Sequence, residues 1–411
     1  MGELFQARTM REARELLGEH IKAAYVTEQV PLLKALGRRL ARDLTAVDAV
    51  PGFDRATMDG FAVRARDTLG ATESLPAYLD ITGEVRMGQN TAVSGGLGAG
   101  QAWRIPTGGM LPPGADAVLM VEYTAELDER TIGITRPAAT GDHIVRIGED
   151  IASGDGVLSR GHVLRAQDLG LLAAAGVSEV PVFVPTRVGI ISTGDELVET
   201  YEQPGPGQVR DINSYALYGQ AAVTGARPRI YGIVRDNYKL LLDRLRQALA
   251  ECDLVLLSGG SSVGTRDVAA RVLDALGSPG VLFHGISIKP GKPTVGAVVD
   301  GKPVFGLPGH PVSAMVVFDL LVTPLLRHGA YLQDPLEFPV RARLNRNMRS
   351  AAGREDYLRV RLYQENGVLI AEPVLGKSGL ISTMVQAGGL ARIPAGKEGV
   401  EAGEYIEVKL F

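Results

Sequence analysis

Cysteine is nearly missing. The 411 residues hold one, Cys252, which excludes an intrachain disulfide and a zinc site built on cysteines and fits a reducing compartment. An excess of either charge is also missing. Lys and Arg number 43 against 47 Asp and Glu, a net charge of -4, so nothing draws the whole molecule to nucleic acid or to anionic membranes. Long apolar runs are absent as well. The longest, AMVVFDLLVTPLL at 314–326, carries Asp319 and falls short of the about 20 apolar residues that a membrane span needs. It is predicted to be a buried helix. The opening stretch MGELFQARTMREAR is charged and lacks the apolar centre of a signal peptide. The expectation is a soluble, cytoplasmic protein with neither membrane nor nucleic acid as a partner.

What is abundant is glycine, 51 residues without a period, which predicts many tight turns and loops of close backbone approach. The chain exceeds the about 250–300 residues at which single cores stop growing, so two to four domains are expected. Residues 8–24 and 31–44 have helical spacing, the second with Leu32, Leu33, Leu36 and Leu40 after Pro31. Short alternating runs broken by Gly and Pro then read as a compact, mostly β region. Near 150–185 a loop, the helical DLGLLAAAGV and the strand-like VPVFV return. The expected division is a split first domain over 1–50 and 146–185 around an inserted mostly-β domain over 51–145. From 186 to 332, strands alternate with helices, the pattern of a doubly wound, largely parallel sheet covered on both faces. Over 333–411 the β pattern returns and predicts a small barrel or sandwich.

One stretch of the α/β region stands out: LVLLSGGSSVGTRD, 254–267. An apolar strand ends in glycines and hydroxyls, followed by a helix. Gly259, Gly260 and Gly264 would let backbone N–H groups approach an anion, with Ser261, Ser262 and Thr265 adding hydroxyls and the helix N-terminus adding positive potential. It is not a Walker A loop, because Thr265 and Arg266 follow Gly264, and it is not GxGxxG, because Ser261 replaces the second glycine. Two readings stay open: a phosphate cradle, or a strand-to-helix turn capped by a serine. Neighbouring loops bear on the choice. STGDEL brings Asp195 and Glu196, VRDN brings Asp236, IKPGKP brings Lys289 and Lys292, and GLPGHPVSA opens a helix. Each charge alone fits a solvated loop. In a parallel sheet these loops share the carboxyl edge, where ligands bind, and carboxylates for Mg2+ with lysines for anions are the parts of a nucleotide phosphate site.

Taken in order with RATMDGFAV at 55–63, these motifs resemble the molybdopterin molybdenumtransferase family, that of bacterial MoeA and the gephyrin E domain, over essentially the full chain. The resemblance implies a molybdopterin-binding α/β domain and a homodimer with an active site between subunits. It also implies a reaction completing molybdenum cofactor: molybdate is inserted into adenylylated molybdopterin, and AMP leaves with help from Mg2+. It assigns catalytic roles to Asp59, Thr107, Asp150, Glu196, Asp236 and Asp267, with Glu196, Asp236 and Asp267 at the metal. Asp59 and Thr107 would come from the partner subunit. The glycine-serine loop, Gly259 to Gly264, would take the pterin and AMP phosphates. Molybdate, a tetrahedral dianion needing positive charge and hydroxyl donors, would meet Lys289, Lys292, Pro293, Ser313, Arg354 and Ser378, with Ser382 a near alternative to Ser378. The adenylylating enzyme and molybdoenzyme acceptors are the further partners implied. Two features depart from the family pattern. His310 stands where asparagine is usual, and DRATMDGFA has Asp54 before Arg55 and Phe61 where tyrosine is common.

Other readings are set beside this one. The six histidines form no HExxH and no tight pair, so a histidine zinc site is not expected, and no GxSxG elbow supports a serine hydrolase. Seven arginines within 341–361 read as a nucleic-acid patch or as the wet face of alternating strands. Met58 and Trp103 read as core or cleft wall. Two other functions are carried: a protein-binding scaffold on the same fold, and an adenylyltransferase, which would have to bind ATP.

Overall fold

The structure, a computed structural model, describes residues 7–22, 26–93, 95–259, 265–328 and 338–411; the side chains of 265–267 and of 328 lie outside that description. The chain forms two compact units, one from Met1–Val26 with Val184–Phe411 and one from Thr27–Phe183.

In the first unit a six-stranded sheet has the order 227–234, 187–193, 254–259, 302–307, 295–299, 279–284. The first four strands are mutually parallel, and 295–299 runs against both of its neighbours. Five strands therefore point the same way, and their loops share the carboxyl edge. The central strands are apolar throughout because both faces are covered: LVLLS at 254–258 is wholly buried. One face packs helices Tyr238–Glu251 and Thr265–Leu276, and the other packs Asn213–Val223 and the helical run from Pro311. The helix Tyr238–Glu251 starts where Asn237 accepts from the N–H groups of Lys239 and Leu240. The apolar run at 314–326 is helical as expected, with a π-helical turn at Phe318–Val322. No helix among the described residues is long and apolar enough to cross a membrane.

Five strands, 340–344, 355–365, 368–373, 389–393 and 405–410, close into a barrel, because 355–365 pairs with both 368–373 and 389–393. Ile288–Lys289 pairs parallel with Glu355 and Asp356. That short ladder brings the KPGKP loop of the sheet against the barrel.

In the second unit, Thr27–Pro31 pairs with Glu179–Phe183 and Leu44–Thr45 with Gly156–Leu158. Val30, Leu40, Leu164, Leu172 and Val182 share one core. Between these segments lies a second six-stranded sheet, ordered 117–120, 60–63, 101–105, 77–84, 131–134, 124–126.

Of the two helices expected at the start of the chain, one is present and one needs correction. The first helix spans Met10–His20, held by a capping box between Thr9 and Glu12. Its buried Met10, Ala13 and Leu17 join the core of the α/β sheet, not that of the unit Thr27–Phe183. Residues 31–44 are not a helix. After a short 3-10 turn, Leu32–Lys34, the backbone pairs with 162–164 and with 181–183. Leu40 is buried while Leu33 is 88% exposed, so the leucines never formed one buried face, and pairing with a distant strand overrode their spacing.

Candidate functional site

The short ladder between Ile288–Lys289 and the barrel leaves a cleft of about 670 Å³. One wall is the loop 287–293 with Pro308, His310 and Ser313, and the other is 354–359 with the segment 373–378. The loop is seated by Gly291. Its φ is +121°, and a Cβ there would come within 2.6 Å of the Val317 side chain, so only glycine allows this approach. Ser313 is buried in the first turn of helix Pro311–Val317, with Pro311 opening the helix. Lys289, Lys292, Pro293, Ser313, Arg354 and Ser378, six positions scattered over 90 residues, all line this cleft. Ser382 does not; it begins a short helix, Ser382–Val385.

The cleft is cationic. Lys289, Lys292, Arg354, Arg359 and Lys377 line it against a single carboxylate, Asp356. Asp356 is 1% exposed and shared: Arg354 Nε donates to Oδ1 at 2.9 Å, and Lys289 Nζ lies 3.5 Å from Oδ2. Arg359 donates from Nη2 to the Gly376 carbonyl at 2.8 Å. Its Nε and Nη1 are buried with no partner among the described residues, and burial lowers its pKa. His310 Nδ1 lies 2.8 Å from Ser378 Oγ, and Val312 N–H donates to the Ser378 carbonyl at 3.2 Å. Asp356, Arg359 and His310 were not among the expected site residues. His310 was legible as a departure, whereas Asp356 and Arg359 read only as charges on an alternating strand.

The carboxylates lie at the sheet edge. Asp236 Oδ1 accepts from Thr193 Oγ1 at 3.0 Å, and its N–H donates to Asp195 Oδ1 at 3.3 Å. Burial raises the Asp236 pKa, helped by the Asp195 and Glu196 charges and opposed by the Thr193 bond. Glu196 is exposed and folds over Gly194, where a Cβ would meet its carboxylate at 2.6 Å. Gly259, at φ +105°, closes the strand before the glycine-serine loop. A Cβ there would stand 2.0 Å from the Thr193 carbonyl oxygen. Gly260, Ser261, Ser262 and Gly264 lie outside the described residues, as does the side chain of Asp267. Among the described residues no three His, Cys, Asp or Glu side chains form a metal-binding group.

A buried polar network, unforeseen from sequence, lies where the strand order reverses, between 187–193 and 254–259. Ser192 Oγ donates to Asp211 Oδ1 at 2.9 Å, and Asn213 Nδ2 donates to Ser258 Oγ at 2.7 Å and to the Gly309 carbonyl at 2.9 Å. It ties the strand ends to the loop that carries His310. The only advance signal was DINS at 211–214, where three polar residues, Asp211, Asn213 and Ser214, cluster at a helix start.

Asp59, Thr107 and Asp150 belong to the unit Thr27–Phe183. Asp59 Oδ1 accepts from the Thr107 N–H at 2.6 Å, which holds its carboxyl below the usual range. Asp54 accepts from the Ile147 N–H and from Arg146 Nη1, both at 2.8 Å, pinning the turn before Asp150, which is exposed. The arginines of 341–361 have different surroundings. Arg354 and Arg359 line the cleft, Arg361 faces Glu372, and Arg341 lies over Tyr405.

Three family models match the chain: "MoeA N-terminal region (domain I and II)" over residues 8–176, "Probable molybdopterin binding domain" over 189–328, and "MoeA C-terminal region (domain IV)" over 341–411. The molybdopterin molybdenumtransferase of Bacillus subtilis is 33% identical over 396 residues, 95% of this chain and 91% of that protein. Molybdopterin molybdenumtransferase 2 of Mycobacterium tuberculosis is 34% identical over 411 residues, 98% and 99% of the two chains. The crystal structure of the molybdopterin biosynthesis MoeA protein from Pyrococcus horikoshii OT3 superposes with a TM-score of 0.85 at 35% identity, covering 99% of this chain and all of that one.

Proposed function

The chain belongs to the MoeA family, and from that membership we propose that the cleft between sheet and barrel is where it holds molybdate. The activity is that of a molybdopterin molybdenumtransferase, which completes molybdenum cofactor by inserting molybdenum into molybdopterin. The observation that carries the site reading is the charge of the cleft: five cations against one carboxylate, with the hydroxyls of Ser313 and Ser378 beside them. A tetrahedral dianion needs that combination. Lys289, Lys292 and Arg354 supply charge, Ser313 and Ser378 supply donors, and Pro293 closes the loop that carries the lysines.

The substrate is adenylylated molybdopterin. Its phosphates rest at the glycine-serine loop that follows Gly259. Asp236 supports a divalent ion at the sheet edge, because burial and neighbouring carboxylates raise its pKa, a strain that a hard cation relieves. Glu196 and Asp236, with Asp267, would hold Mg2+, which when bound neutralises phosphoanhydride charge. The phosphoanhydride bond breaks, AMP leaves, and the entering oxygen comes from water or from molybdate. In a homodimer, Asp59 and Thr107 of the partner subunit complete the site together with Asp150. The setting is cytoplasmic, and the adenylylating enzyme and molybdoenzyme acceptors stand on either side of the reaction.

Purified protein mixed with adenylylated molybdopterin, Mg2+ and molybdate tests this, with AMP followed by chromatography. Molybdate-stimulated AMP release that is lost in Glu196→Ala supports the reading. AMP release indifferent to molybdate, or to removal of Mg2+, contradicts it.

A further inference from the structure

His310 differs in kind from every other ionisable group lining the cleft. On the loop wall stand Lys289 and Lys292, on the barrel wall Arg354, Asp356, Tyr357 and Arg359, and on the segment beside the ring Lys377. Lysine, arginine, aspartate and tyrosine side chains ordinarily keep one charge between about pH 5 and 8, whereas an imidazole changes its charge in that range.

The ring is tied to a hydroxyl. Nδ1 lies 2.8 Å from Ser378 Oγ, and the two backbones are linked by the bond from Val312 N–H to the Ser378 carbonyl. His310 is itself fixed by its place before helix Pro311–Val317, where its carbonyl accepts from the Ala314 N–H at 3.0 Å. A serine hydroxyl has one proton to give. With Nδ1 bare, that proton goes to the ring, and Ser378 turns lone pairs toward the cleft. With the ring doubly protonated, Nδ1–H donates to Oγ, and the hydroxyl proton is free to point at an anion. The neutral ring can choose either arrangement; the protonated ring cannot.

We propose that His310 is a positioning residue for oxyanion binding: the protonated imidazole donates to Ser378, so that the Ser378 hydroxyl donates in turn to molybdate in the cleft. This rests on the reading of the cleft given under Proposed function. Electrostatics points the same way. The groups that line the cleft are mostly cations, and the lone carboxylate, Asp356, is already shared by Arg354 and Lys289. An incoming dianion shifts that balance. Binding and ring protonation therefore favour each other, and the coupling is reciprocal.

The test is equilibrium binding of molybdate to the full chain between about pH 6 and pH 8.5, with sulfate as a non-titrating tetrahedral competitor. The native protein is expected to lose roughly tenfold in affinity as pH rises. His310→Asn, which keeps an amide donor that does not titrate, is expected to bind with no pH dependence. Affinity that ignores pH in the native protein, or a pH dependence that survives in His310→Asn, overturns the role of His310 and leaves the cleft reading standing. Native protein that binds no molybdate at any pH sinks the cleft reading and this proposal with it. A second measurement needs no variant at this position to fold. The His310 ring, followed by NMR in the native protein, is expected to titrate at higher pH with molybdate bound, and an unmoved titration contradicts the proposal.

Discussion

Arg354 donates through Nε to Oδ1 of Asp356 at 2.9 Å, from the rim of a cationic cleft to a carboxylate that is 1% exposed. The buried carboxylate spends its charge on ordering two of the five cations, because Lys289 approaches its other oxygen at 3.5 Å. Asp356→Asn keeps the shape and removes the charge. Molybdate capture is expected to stay the same or tighten, because the cleft becomes more positive. Turnover is expected to fall about ten- to a hundredfold, because Arg354 is no longer held in place. Steady-state kinetics beside equilibrium binding separates the two effects, and parallel losses in both would contradict this division of labour.

Glu196 and Asp236 sit at the sheet edge and not among the residues lining the cleft. Glu196→Gln is therefore expected to lower Mg2+-dependent AMP release by about a hundredfold while leaving the affinity for molybdate within about twofold. A molybdate affinity that collapses along with AMP release would mean that the two sites are not separate.

Asn213 spends both amide hydrogens, on Ser258 Oγ and on the Gly309 carbonyl. Asn213→Ala leaves both acceptors without that donor in a buried place, at a cost of about 1–3 kcal/mol. Chemical denaturation should register this loss. Because Gly309 adjoins His310, molybdate binding should weaken as well. Unchanged stability would show that the network is not holding the strand ends.

Asp168 is 3% exposed and accepts from Arg165, which contributes most to holding its carboxyl well below the usual range, with His162 Nε2 at 2.7 Å adding to it. A folded-state pKa below the unfolded one stabilises above the unfolded value, about 3.9, and that stability is lost as pH falls through the folded one. Asp168→Asn should therefore destabilise the protein at pH 7, by roughly 1–3 kcal/mol. The gap between variant and native melting temperatures should narrow as pH drops below about 4. A gap that stays constant over that range would assign the loss to shape and not to charge.

Much of this site could be read in the sequence because an α/β sheet sends its loops to one edge. Asp195, Glu196, Asp236 and the two KPGKP lysines follow strands that run the same way, so alternation of strands and helices sufficed to group them. Arg354 and Ser378 could be placed only through family resemblance, since nothing in a β pattern says that a barrel will close against residues 288–289. Asp356 was invisible for the same reason. It sits in EDYLRVRLY as one charge among several, and its burial comes with pairing to residues far away in sequence, Lys289 on one side and Ile393 on the other. The Ser192, Asp211 and Asn213 network was hidden because serines that end apolar strands look like ordinary strand ends. The leucines at 32–40 misled in the opposite sense, with helical spacing that the pairing to 162–164 overrode.

The central claim is that molybdate sits in the cleft between sheet and barrel. Tungstate is a heavy tetrahedral dianion of similar shape, and anomalous scattering from a tungstate-soaked crystal would locate it. The account predicts one tungsten peak among Lys292, Ser313, Arg354 and Ser378, with its oxygens within hydrogen-bond reach of those side chains. A peak at the glycine-serine loop after Gly259 with none in the cleft would contradict it.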